Sequence, residues 1–84
     1  MIKVKYIMQN DDGLHARPAA ALCKAASKFK SSIFIFKDGE EYEAKSILML
    51  MSAGAVKGDT IEIVADGEDE REAVDTIIDV LDKM

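Results

Sequence analysis

Residues 32–43 read SIFIFKDGEEYE. The run from Ser32 to Lys37 is rich in Ile and Phe and is followed by Asp38-Gly39, the strongest short hairpin signal, since a two-residue turn of this type needs positive φ at both central positions. A second strand and a short, acidic third strand are therefore expected to pair antiparallel. Toward the N-terminus, Ile2, Val4, Tyr6 and Met8 fall on one face while Lys3, Lys5 and Gln9 fall mostly on the other, which predicts a strand over Ile2 to Met8 with one solvated side. It stops at the loop signal Asn10-Asp11-Asp12-Gly13. Pro18 is tolerated only in the first turn of a helix, and beyond it Leu22, Ala25, Ala26 and Phe29 recur at helical spacing, so a helix should run from about Ala16 to Lys28.

Toward the C-terminus, Ser46 stands as an N-cap before Ile47-Leu48-Met49-Leu50-Met51, and because Leu and Met favour helix a short helix is expected there. Thr60 to Ala65 reads as a fourth strand, with Ile61, Ile63 and Ala65 set against Glu62 and Val64. Asp69 and Glu72 have the spacing of a capping box, and Ala73, Val74, Ile77, Ile78 and Leu81 form an apolar stripe down a last helix. The order β-α-β-β-α-β-α implies an α+β fold, with helices packed on one face of an antiparallel sheet.

Eighty-four residues fit one domain spanning 1–84, and 49% apolar with 32% charged residues argues for a folded chain rather than a disordered one. The net charge of -5 repels nucleic-acid backbones and anionic membranes on average, so neither is an expected partner. Cys23 is the sole cysteine and His15 the sole histidine, which leaves no intramolecular disulfide and no ordinary ligand set for a structural metal within one chain. No cofactor is called for. The longest mostly apolar stretch, Ile47 to Val56, is about half of the roughly 20 residues a membrane helix needs. With no secretory-type start, the expected location is the cytoplasm.

The chemistry concentrates in Gly13-Leu14-His15-Ala16-Arg17-Pro18-Ala19-Ala20. A helix N-terminus offers unpaired N–H groups and the positive end of the macrodipole, so a phosphate carried by the His15 ring would meet the donors of Ala16 and Arg17. The Arg17 side chain would add a charge-assisted contact. The same positive field disfavours an imidazolium at His15 and so favours the neutral ring, in which a nitrogen is nucleophilic. Such a constellation suits reversible phosphoryl transfer, whereas a lone histidine before a helix is more often a cap or a packing residue.

The run GLHARPAA closely resembles the active-site signature of the HPr family, the histidine-containing phosphocarriers of the bacterial phosphoenolpyruvate-dependent sugar phosphotransferase system. The resemblance extends to Lys45-Ser46-Ile47, to Met51-Ser52-Ala53-Gly54 and to the acidic stretch and closing helix from Asp66 to Met84, so it covers essentially the whole chain. It implies an open-faced β-sandwich, a four-stranded antiparallel sheet covered on one face by three helices. It also implies a carrier, not an enzyme, which accepts a phosphoryl group from enzyme I on Nδ1 of His15 and passes it to sugar-specific IIA components. Arg17 occupies the position of the family's phosphate-holding arginine.

By the same resemblance Ser46 matches the regulatory serine, which brings in an HPr kinase/phosphorylase and a catabolite-control transcription regulator as further partners. An ordinary N-cap is its plain alternative, and the two roles are compatible. Lys45 beside it is expected to offset part of an added phosphate's charge. Ala20, Lys24, Ile47, Leu48 and Met51 correspond to the surface that meets enzyme I and other partners, although an apolar stripe taken alone is more often core. Leu48 and Met49 depart from the common pattern, in which methionine and glycine are frequent, and the departures bear on partner preference. Lys28 adds positive charge to the first helix; Cys23 is read as a packed residue. A small carrier working by transient docking is expected to be a monomer. Two rival readings stand beside this one: a relative serving a nitrogen-regulatory branch, against which the Lys45-Ser46-Ile47 context argues, or regulation alone, against which the presence of His15 argues, and a ferredoxin-like binding module with no phosphoryl chemistry.

Overall fold

The computed structural model describes residues 1–84. Its elements are β1 (Ile2–Ile7), α1 (Ala16–Ala26), β2 (Ser32–Lys37), β3 (Glu40–Glu43), α2 (Ile47–Ser52), β4 (Thr60–Asp66) and α3 (Glu70–Asp82). The four strands form one sheet in the order β1-β4-β2-β3, with every neighbouring pair antiparallel. The Asp38-Gly39 turn has φ of 51° and 82°, the left-handed pair that lets a two-residue connection follow the twist of its strands.

Alternation along the strands sorts the sheet into two faces. On one, Val4, Ile63, Ile35 and Tyr42 lie side by side across all four strands, and Ile33, Ile35, Ile61 and Ile63 are buried beneath the helices. Against them α1 sets Ala19, Leu22 and Ala26, α2 sets Leu50, and α3 sets Ala73, Val74, Ile77 and Leu81. Each fully buried Ile or Leu contributes about 1.5–3 kcal/mol, so this single layer of contact supplies most of the driving force. The Tyr6 hydroxyl donates to Asp82 at 2.7 Å, joining β1 to the end of α3; burial first, and then this hydrogen bond, push its ionisation up to about 12.

Several boundaries differ from expectation. Met8 lies outside β1, yet it is buried and continues the pairing as a loop: its N–H donates to Asp59 O and its carbonyl accepts from Gly58 N. α1 ends at Ala26 rather than Lys28, because the N–H groups of Lys28 and Phe29 turn back to Ala25 O and Ala26 O in the tighter i to i−3 pattern that closes helices. β4 runs one residue further, to Asp66. Val64, expected among the outward residues of β4, does face away from the helices but is buried there, between Lys3 and Phe34 in register.

The capping box at the start of α3 is not formed. Asp69 is the N-cap residue, but its carboxylate makes no cap bond; it accepts instead from the N–H groups of Lys30 and Ser31, each at 2.9 Å, and from the Ser31 hydroxyl. The chain between α1 and β2 presents those donors at a buried corner, and three donors from a distant segment outcompete one N–H of the local turn. Gly67 makes the close approach there: a Cβ at this position would lie 2.7 Å from Ser31 Cα, at a φ of 153°.

Candidate functional site

His15 is the N-cap residue of α1, with extended backbone (φ −84°, ψ −173°), and its side chain makes no cap bond. Its carbonyl accepts the first helical bond from Ala19 N at 2.8 Å. Pro18 carries no N–H, so the orphan donors of the first turn reduce to Ala16 and Arg17, and neither has a partner. The first turn holds no acidic residue. His15, Ala16 and Arg17 are all exposed, so an accessible imidazole and two free amides stand together at one helix end.

This end is braced from below. Leu14 is buried and donates its N–H to Ala55 O at 3.0 Å, holding the loop before His15 against the loop after α2. Gly13 allows that approach, since a Cβ there would run into the Ala55 carbonyl and its φ is 59°. At the other end of α2, the Cys23 thiol of α1 donates to Lys45 O at 3.2 Å. α2 is thus tied to α1 at both ends, which keeps its outer surface beside His15. Cys23, read from the sequence as mere packing, acts as one of these two ties.

α2 has only six residues and buries only Leu50. Ile47, Met49 and Met51 are each 41% exposed and Leu48 80%, so the apolar stripe is surface and not core. Ala20 and Lys24 are exposed on α1, and Val56 is exposed just past the Ala55 tie. Sequence reasoning passed over Val56, because a single valine in a loop carries no periodic signal. Ile47, Leu48, Met49, Met51 and Val56 are exposed apolar side chains on and just after α2, of the kind that marks an interaction surface on a small protein.

Ser46 is the N-cap of α2, and its Oγ accepts from Met49 N at 3.3 Å. The Lys45 ammonium donates to Phe29 O at 2.9 Å, beyond the end of α1, where a carbonyl left without a helical partner draws it. On the other flank of the site, a cavity of about 430 Å³ is lined by Asn10, Asp11, Asp12, Arg17 and Lys83, among others; it adjoins Arg17 and does not include His15.

The family model described as "PTS HPr component phosphorylation site" matches residues 2–83. The HPr-like protein Crh of Halalkalibacterium halodurans is 41% identical over 83 residues, covering 99% of each chain. Among solved structures, HPr-C-His of Thermoanaerobacter tengcongensis is 41% identical with a TM-score of 0.95, over 99% of this chain and 93% of that one. The Mycoplasma histidine-containing phosphocarrier protein is 38% identical with a TM-score of 0.93, over 98% and 93%. Those structures share the β-α-β-β-α-β-α order and the open four-stranded sheet, and the match runs through both the His15 helix start and the Ser46 helix. The chain belongs to the HPr family of phosphocarriers of the phosphotransferase system.

Proposed function

We propose that this protein accepts a phosphoryl group from phospho-enzyme I on His15 and donates it to sugar-specific IIA components in the cytoplasm. The observation that carries this reading is the open start of α1: an exposed, uncapped histidine followed by two unpartnered amides, with no carboxylate in the first turn to compete for them. In the transfer, the neutral imidazole nitrogen attacks phosphorus, the N–P bond forms as the bond to the donor breaks, and the charge on the phosphoryl oxygens falls on the Ala16 and Arg17 donors. The exposed residues Ala20, Lys24, Ile47, Leu48 and Met51 form the surface on which donor and acceptor proteins dock.

Incubation with enzyme I and labelled phosphoenolpyruvate tests it. Acid-labile label is expected on the wild type and none on His15→Ala, whose Tm should match the wild type because His15 is exposed and makes no side-chain bond. Label retained by the variant would place the acceptor elsewhere.

A second role, regulation through Ser46, is supported by the 41% identity to an HPr-like protein, Crh, and by a serine already capping the helix that carries the apolar surface. Phosphate on Ser46 would be tolerated at a helix start but would place charge beside a surface that must lose water on docking. A kinase acting on Ser46 and a catabolite-control regulator would be its partners. Since Lys45 is held by Phe29 O, little of that charge would be neutralised locally. Ser46→Asp should therefore slow His15 phosphorylation at limiting carrier by roughly tenfold, at near-constant Tm. Equal rates for Ser46→Asp and Ser46→Ala would make Ser46 a cap only.

A further inference from the structure

The five methionines occupy three kinds of place. Met8 is 1% exposed in the core, and Met1 and Met84 stand at the two ends of the chain. Met49 and Met51 lie within α2, each 41% exposed, on either side of Leu50, the one residue by which that helix is anchored in the core. The remaining sulfur is the half-buried Cys23 thiol, which donates to Lys45 O at 3.2 Å. Two accessible thioethers thus share one short helix with Ile47 and Leu48, in the surface that the proposed function assigns to docking.

We propose that Met49 and Met51 form a reversible oxidation site, at which a peroxide-class oxidant turns the α2 surface from apolar to polar and slows loading of the carrier; the effect on loading rests on the phosphocarrier reading. A lone pair of the thioether sulfur takes one peroxide oxygen as the O–O bond breaks. The sulfur loses two electrons, the proton of the transferred oxygen passes to the departing hydroxide, and water and methionine sulfoxide are the products.

The thioether suits a docking surface because it is apolar and its rotatable bonds let it fit partners of different shape. The sulfoxide adds a polar oxygen that must lose its water when a partner docks. Two donors of α2 are already engaged, since the Met49 N–H donates to Ser46 Oγ at 3.3 Å and the Ser52 hydroxyl donates to Met49 O at 2.7 Å, and neither is available to the new oxygen. Because both side chains are solvent-exposed, the added polarity costs the fold little and falls on docking. Met8 is shielded by its burial and serves as an internal control.

The test treats the carrier alone with dilute hydrogen peroxide, removes the peroxide with catalase, and maps added oxygen by peptide mass. Met49 and Met51 should each gain one oxygen well before Met8 does. In the reaction with untreated enzyme I and phosphoenolpyruvate, the KM for the oxidised carrier should rise roughly tenfold while kcat stays level, because His15 is unaltered. A methionine sulfoxide reductase with its thiol reductant should restore KM, and the thiol alone should not, which separates the methionines from Cys23. Met49→Leu/Met51→Leu keeps Met1, Met84 and Cys23, and its KM, whatever the starting value, should be the same before and after peroxide. Oxidation of Met49 and Met51 no faster than of Met8, a KM indifferent to full oxidation, or an equal rise in the double variant overturns the inference. A thermal melt of the oxidised wild type guards against loss of fold without recourse to a variant: a collapse of Tm would make the effect global unfolding and overturn it too. Absence of label on the untreated wild type overturns the phosphocarrier reading and the loading effect with it, whereas label that oxidation does not slow overturns this inference alone.

Discussion

The starts of α1 and α3 are built in opposite ways. At α1 no side chain caps the helix, the first turn has no acidic residue, and the Ala16 and Arg17 amides are unused. At α3 the first turn contains Glu70 and Glu72, Glu70 accepts from Gly67 N and pairs with the N-terminal ammonium at 3.0 Å, and Asp69 is fully engaged with Lys30 and Ser31. Both helix ends favour negative charge. One receives it from its own sequence and becomes a structural corner; the other leaves the place open, where the proposed function would bring a phosphoryl group. The difference teaches that equivalent helix starts in one fold can be closed for stability or left open to an outside group.

The contrast is open to attack from either side. The largest effect is expected at the structural corner, where Gly67→Ala would drive a methyl group into Ser31 at a backbone angle that L residues avoid. A loss of about 3 kcal/mol, read as a fall in Tm of roughly 12–24 °C, should leave the labelling of folded protein by enzyme I unaltered. Next comes an exchange of character: Ala16→Glu places at α1 the carboxylate that α3 already has. Thermal melts should show a gain of about 0.3–1 kcal/mol, while phosphorylation of His15 slows by roughly tenfold because the new charge occupies the amides and repels phosphate. If stability and rate both stay level, the open end of α1 is incidental.

The smallest effect is in acid. The Ser31 hydroxyl, with the Lys30 and Ser31 amides, holds the Asp69 carboxyl down from 3.8 to about 2. A depressed folded value means that the stabilisation is present above the unfolded value and is lost as pH falls through the folded one. Tm should accordingly decline between about pH 4 and about pH 2, and in Asp69→Asn, already less stable at neutral pH, that part of the decline should be missing. Parallel acid limbs in the two proteins would assign the decline to other carboxylates.

Much of this was legible because local chemistry and tertiary demand agree. The Asp38-Gly39 turn, the alternation in β1 and β4 and the proline-marked start of α1 each specify an element from adjacent residues, and their order brings the helices to one face. The candidate site was equally legible as a helix start, since His15, Ala16, Arg17 and Pro18 are contiguous and a helix start is a local property. Composition could not decide whether the α2 stripe was core or surface. That depended on two ties to α1, at Lys45 and Ala55, made by residues that carry no pattern of their own.

The sequence by itself determined the elements, their order and the open, uncapped start of α1 at His15, because all of these depend on contacts within a few residues. Only the tertiary structure decided which donors Asp69 would serve, where the Lys45 ammonium would point and which side of Val64 would be covered. In each case a local preference competes with partners that chain folding brings from far away, Lys30 and Ser31 for Asp69, Phe29 for Lys45, Phe34 for Val64, and the arrangement satisfying more buried polar and apolar groups at once prevails.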